Sequence, residues 1–189
     1  MQEITDKTIE VLRAGGVILY PTDTVWGLGC DATNAKAVER IYEIKRRADS
    51  KAMIMLVDSI DSLLRHTSAV PPILVEILEA NSGSSKPLTV IIPKGCGVAA
   101  NALPEEKTIA MRIPEHDFCQ KLCRKLRRAL ISTSANVSGE AAPSRFAEIS
   151  KEIRDAVDYI VPEHLEKGAT GKPSSIISIG EDCEVKIIR

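Results

Sequence analysis

Apolar positions along the chain fall into short runs separated by stretches of helical period, and the order of the two periods outlines a fold. Residues 3–14 place Ile4, Ile9, Val11 and Leu12 among charges and stop at Gly15, which predicts an opening helix. Val17, Ile18, Leu19 and Tyr20 then form a compact apolar run between Gly15-Gly16 and Pro21. That is the pattern of a buried strand, ended where proline has no N–H to donate. Asn34 caps a second predicted helix reaching about residue 46, with Ala37, Val38, Ile41 and Ile44 on its buried face. A strand at 53–57, a short helix at 60–65 and a helix opened by Pro71-Pro72 and reaching 80 come next. Residues 81–86, NSGSSK, predict a loop, and strands follow at 88–92 and 109–113. Over 116–128, Phe118, Leu122, Cys123 and Leu126 oppose Lys121, Arg124, Lys125, Arg127 and Arg128, an amphipathic helix with a basic outer face. The remainder reads as a strand at 130–133, a helix over 145–157, a strand at 159–161, and closing strands at 175–179 and 184–188. Helices alternate with strands early and strands dominate late, so the expected fold is α/β with a mixed sheet.

Composition narrows this picture. A chain of 189 residues with 44% hydrophobic content supports one sizeable core, and one domain over 1–189 is expected. Aromatics are only 3%, so the core is aliphatic, as suits a sheet covered by helices. A net charge of -1 argues against a general nucleic-acid coat while leaving room for a local basic surface. The five cysteines are odd in number and scattered, without a Cys-x-x-Cys pair, which suggests neither a disulfide framework nor a zinc site. No signal-peptide pattern or membrane-length apolar run is present. The expectation is a soluble, cytoplasmic protein with no membrane partner.

Candidate chemistry gathers at strand ends. Thr22, Asp23 and Thr24 place three short hydrogen-bonding side chains just past the first strand, and Gly27 and Gly29 allow a close backbone approach. A basic cluster (Lys45, Arg47, Lys51) and a hydroxyl-amide cluster (Ser132, Thr133, Ser134, Asn136, Ser138) lie elsewhere in the chain. Converging, the three segments would favour a polyanion, because lysine gives a compact charge and arginine a planar fork. The competing reading of 45–51 is a solvated helix end, where the dipole favours cations anyway. There is no Walker A pattern, no Gly-x-Gly-x-x-Gly opening a helix and no Gly-x-Ser-x-Gly, and the histidines at 66, 116 and 164 lack partners at ligand spacing. The residues alone lead to a polar, phosphate-friendly pocket working by positioning and charge stabilisation.

Seven segments, in order, resemble the YrdC/TsaC family of threonylcarbamoyl-AMP synthases in its single-domain form: YPTDTVWGLGCDATN (20–34), IKRRADSK (44–51), PLTVIIP (87–93), MRIPEH (111–116), STSANVSGEAAP (132–143), PSSII (173–177) and the terminal IIR. The resemblance implies a twisted, mainly open mixed sheet with flanking helices and a concave positive cleft. The implied reaction joins L-threonine, bicarbonate and ATP, with Mg²⁺ accompanying the ATP, into threonylcarbamoyl-AMP and pyrophosphate. The product would pass to separate transfer proteins acting on tRNA. The implied catalytic tetrad is Lys45, Arg47, Ser134 and Asn136. Arg47, Lys51, Thr108, Ser134 and Arg189 are implied on the ATP side, and Thr24, Arg112, Ser132 and Ser175 on the threonine side. Arg112 would face the substrate carboxylate; its other reading is a strand-end arginine paired with an acidic neighbour. The chain departs from the family's habit of a small residue at Arg46, proline at Ala48 and Pro-Leu at Ala52-Met53. The alternative function is a non-catalytic member of the fold that binds RNA, for which the basic helix at 121–128 speaks.

Overall fold

The computed structural model describes residues 1–46 and 53–189. Strands β1 (Ile18–Tyr20), β2 (Gly27–Gly29), β3 (Ile54–Leu56), β4 (Leu88–Ile92), β5 (Ile109–Arg112), β6 (Leu130–Ser134), β7 (Tyr159–Ile160), β8 (Ser175–Ile179) and β9 (Val185–Ile187) form, among the described residues, one open sheet. Its order is β7-β1-β2-β6-β3-β5-β4-β8-β9. Parallel pairs (β1 with β7, β3 with β5, β4 with β8) mix with antiparallel ones, as the sequence predicts.

The helices are α1 (Gln2–Arg13), α2 (Ala35–Ile44), α3 (Ile60–Leu64), α4 (Leu74–Asn81), α5 (Asp117–Leu126) and α6 (Lys151–Asp155). Asn34 caps α2 as expected, its Oδ1 accepting from the N–H groups of Lys36 and Ala37. The helix expected over 145–157 is instead a 3-10 turn, Phe146–Glu148, followed by α6. Ile149 is extended between them, and the Ser150 hydroxyl caps α6 afresh by accepting from Ile153 N–H at 3.3 Å. Strand β2 is not announced by the hydrophobic pattern, because two of its three residues are glycines with no β preference of their own.

Strand alternation sorts the sheet into two faces. Leu19, Leu28, Met55, Val90, Met111 and Ile131 point to the face covered by α2, α3 and α4, where Ala37, Val38, Ile41, Leu63, Leu74 and Leu78 complete the larger core. Ile18, Tyr20, Leu56 and Leu130 point the other way, under α1 and α5, against Ile9, Leu12, Phe118, Cys119, Leu122 and Leu126. The register that brings Gly27 opposite Tyr20 and Ser134, and Ile54 opposite Ser132 and Ala110, continues this second face beyond the two helices. There its residues are small or hydroxylated, with little apolar surface to reward a covering helix. The sheet is left as a floor.

Candidate active site

That floor holds a cavity of about 220 Å³. At liquid density this is room for about seven waters, the scale of an amino acid and well short of a nucleoside triphosphate. Gly27, Ile54, Ser132 and Ser134 come from the floor, Thr24 and Arg112 close one end, and Trp26, Ser174 and Arg189 add walls. Arg112 and Arg189 are the cations of the described lining.

The Thr22–Thr24 turn joins β1 to β2 and is fully internal. Thr22 Oγ1 donates to Val25 O at 2.8 Å, which occupies its one proton, so Thr24 Oγ1 must donate in the 2.8 Å contact between the two hydroxyls. Thr24 Oγ1 in turn accepts from Arg112 Nη2 at 3.3 Å, which leaves it only lone-pair capacity toward the cavity. Arg112 Nη1 donates to Asp23 Oδ1 at 2.5 Å in an ion pair buried on both sides. The second carboxylate oxygen of Asp23 accepts from Glu115 N–H at 3.2 Å. Arg112 therefore has the acidic partner of its second reading, and it also lines the cavity.

The outer wall is fastened to this turn by main chain. Thr170 N–H donates to Asp23 O and Gly171 N–H to Thr24 O, each at 2.9 Å. Trp26 Nε1–H donates to Glu166 Oε2 at 2.9 Å, and its ring packs on Phe146 with centroids 5.0 Å apart. Beyond the wall, Thr89 and Ser174 hydroxyls share a 2.8 Å hydrogen bond, and Arg189 Nε–H donates to Ser174 O at 3.1 Å.

The other end is organised by Lys45. Its buried ammonium donates to Ser134 O at 2.6 Å and Asn136 O at 2.7 Å, and its own carbonyl accepts from Ser138 N–H at 3.0 Å. Asn136 Nδ2–H groups close the same loop on Val137 O and Glu140 O. Lys45 and Asn136 thus shape the loop after β6, while Ser134 faces the cavity. Arg47 and Lys51 lie outside the described residues. Arg46 sits at φ 48° and is anchored by Glu152 at 2.6 Å. A left-handed backbone costs a residue with a Cβ on the order of 1 kcal/mol.

A family model described as "Telomere recombination", spanning Sua5, YciO and YrdC proteins, matches residues 10–189. The chain belongs to the Sua5/YciO/YrdC family. It is 33% identical over 175 residues to the threonylcarbamoyl-AMP synthase of Pseudoalteromonas translucida, covering 93% of this chain and 92% of the relative. Among solved structures it resembles P. abyssi Sua5 complexed with L-threonine, at 25% identity and TM-score 0.82 over 94% of this chain. The chain spans about half of that longer protein, 51%. It also resembles E. coli YciO, at 26% identity and TM-score 0.84, covering all of this chain and 89% of that one.

Within this Sua5/YciO/YrdC fold, Thr24, Arg112, Ser132, Ser134 and Arg189 of the expected site residues come together at the cavity. Thr108 is half-buried just ahead of β5 and does not line it. Ser175 is exposed, and the adjacent Ser174 lines the cavity instead. The two serines look alike in sequence, but Ile177 and Ile179 turn toward the larger core, so Ser175 shares their parity and Ser174 takes the cavity side with Ile176. Trp26 also lines the cavity, and Asp23, already singled out inside the Thr-Asp-Thr turn, stands behind Arg112. The basic face of α5 is charge-balanced: Lys121 pairs with Asp117, Arg124 with Asp58, Lys125 with Asp6, and nearby Arg128 with Asp31. Carboxylates are thus interspersed with the basic side chains on that face. No helix of the described residues is long and apolar enough to cross a membrane.

Proposed function

We propose that this protein is a threonylcarbamoyl-AMP synthase, a transferase of tRNA modification that uses L-threonine, bicarbonate and ATP. The observation that carries the reading is the amino-acid-sized cavity with a guanidinium at one end and hydroxyls along its floor, in a chain similar over most of its length to a synthase of that name. The threonine carboxylate would meet the Arg112 donors not used by Asp23. Thr24, limited to accepting, suits an N–H or O–H of the substrate, and Ser132 offers a hydroxyl from the floor.

Threonine's amine condenses with bicarbonate to a carbamate with loss of water. A carbamate oxygen then attacks the α-phosphorus of ATP, and pyrophosphate leaves. No protein nucleophile is needed, so the protein's share is alignment and charge stabilisation. ATP exceeds the cavity, and we assign its phosphates to the Ser134 end, with Arg47, Lys51, Thr108 and Arg189 as the remaining nucleotide-side set. Lys45 and Asn136 would act there by shaping the loop that carries Ser134. Among the described residues no three His, Cys, Asp or Glu side chains cluster as metal ligands. A Mg²⁺ arriving with ATP would take its ligands chiefly from phosphate and water. The product would pass to separate proteins that acylate tRNA.

The test is pyrophosphate release by purified protein supplied with Mg²⁺-ATP, bicarbonate and L-threonine. Release that needs both threonine and bicarbonate is expected. Release indifferent to threonine, or none, overturns the assignment.

A further inference from the structure

Directly beneath the cavity floor lies a polar group that the site described so far does not use. The Tyr20 hydroxyl is completely buried and has no hydrogen-bond partner, although buried phenols ordinarily find one. Ser132, in the floor itself, likewise makes no side-chain hydrogen bond of regular geometry among the described residues, although its hydroxyl is near enough to the phenol to pull its pKa down against the larger upward pushes of burial and of Cys119. The two flank a single gap. A Cβ added to Gly27 would sit 3.3 Å from Ser132 Oγ and 3.3 Å from Tyr20 Cε1. Register explains the meeting, since Tyr20 lies opposite Gly27, Gly27 opposite Ser134, and Ser132 is two residues along on the same face. Burial pushes the Tyr20 phenol well above its ordinary pKa, so it stays a neutral O–H donor.

We propose that Tyr20 is a positioning residue for the amino-acid end of the cavity, its hydroxyl donating to Ser132 Oγ when Ser132 gives its own proton to the substrate. A serine hydroxyl has one proton and two lone pairs. When the proton turns into the cavity toward an oxygen of the bound amino acid, a lone pair turns toward Tyr20. The phenol then gains the acceptor it lacks, and the chain Tyr20 to Ser132 to substrate is mutually polarised. This rests on the reading of the cavity as the threonine site. Tyr20 touches no substrate; it acts through Ser132.

Opposite signs in two measurements separate this role from a merely structural one. Tyr20→Phe keeps the ring and removes only the unpartnered hydroxyl, so the variant's melting temperature without substrate should equal or exceed that of the wild type. Its KM for L-threonine should rise about fivefold, the effect of one ordinary hydrogen bond, while KM for ATP stays the same. In a Ser132→Ala background the same change should leave KM for threonine unaltered. A lower melting temperature with unchanged threonine KM overturns the proposal, as does an equal rise in both KM values, or a Tyr20→Phe effect that persists without the Ser132 hydroxyl. Wild-type protein that shows no threonine-dependent pyrophosphate release overturns the threonine reading and this inference together, and is thereby distinct from failure in Tyr20→Phe alone.

Discussion

The Arg112–Asp23 pair offers the sharpest link between fold and site, and Asp23→Asn is the change that exposes it. Both side chains are buried, 4% and 8% exposed, so solvent screens the pair very little. Asparagine keeps the size but removes the charge, and its one acceptor oxygen cannot serve both Arg112 Nη1–H and Glu115 N–H. Its amide NH₂ is then forced toward a donor. Breaking a buried pair from one side costs about 3–5 kcal/mol, and each kcal/mol moves the midpoint of a chain this size by about 2–4 °C. Asp23→Asn should therefore melt about 6–20 °C below the wild type. Added L-threonine should raise the variant's midpoint more than the wild type's, since its carboxylate supplies the missing charge. Arg112→Met should be destabilised similarly, but the double variant should recover most of the loss because no uncompensated charge remains. Recovery of stability will not bring back threonine turnover if Arg112 receives the substrate carboxylate. Thermal melts of the four proteins close the cycle. A single Asp23→Asn variant within about 1 °C of wild type, or a double variant as unstable as the sum of the singles, refutes the reasoning.

Lys45→Met leaves two buried carbonyls without their charged donor, and at about 1.5–3 kcal/mol for each such bond it should lower stability by roughly 3 kcal/mol or more in urea unfolding and lose activity with it. Ser134→Ala should weaken ATP use with little change in the melt; a Lys45→Met protein of full stability would show that the ammonium does not organise the loop. A pH series reads the buried His66 and the half-buried His116: burial lowers the pKa of both, and Nε2–H of His116 donates to Leu165 O while its Nδ1 has no partner among the described residues. The unfolded chain binds protons first, so stability is full above about pH 6.5 and falls as pH drops below it. His116→Gln should make that fall shallower in denaturant titrations at pH 7.5 and 5.5, and an unchanged slope would contradict the burial argument.

The strands of the covered faces were legible because each carries the two-residue apolar pattern or a compact apolar run: β1, β4, β6 and β8 lie where the hydrophobic runs put them. β2 was not, because Gly27-Leu28-Gly29 owes its strand to its neighbours Tyr20 and Thr133 rather than to its own side chains. The same holds for the site. Thr24, Ser132 and Ser134 were recognisable as polar residues at strand ends, whereas Arg112 came only with the family resemblance. The choice between Ser174 and Ser175 depends on which face of β8 meets the larger core, a tertiary fact. That Lys45 turns inward to carbonyl groups is equally invisible in a run of basic residues, where a solvated side chain and a buried one read the same.

The glycine in the floor carries a consequence for substrate choice. Much of the depth of this cavity comes from missing atoms: no side chain at Gly27 and one heavy atom past Cβ at Ser132 and Ser134. A methyl group fills a volume near that of one water, about 30 Å³, against the 220 Å³ of the whole space. Single substitutions on the bare strands would thus step the cavity between amino acids of different length without touching a loop. Selectivity would then be set by the sheet, as a lock is cut by its depth.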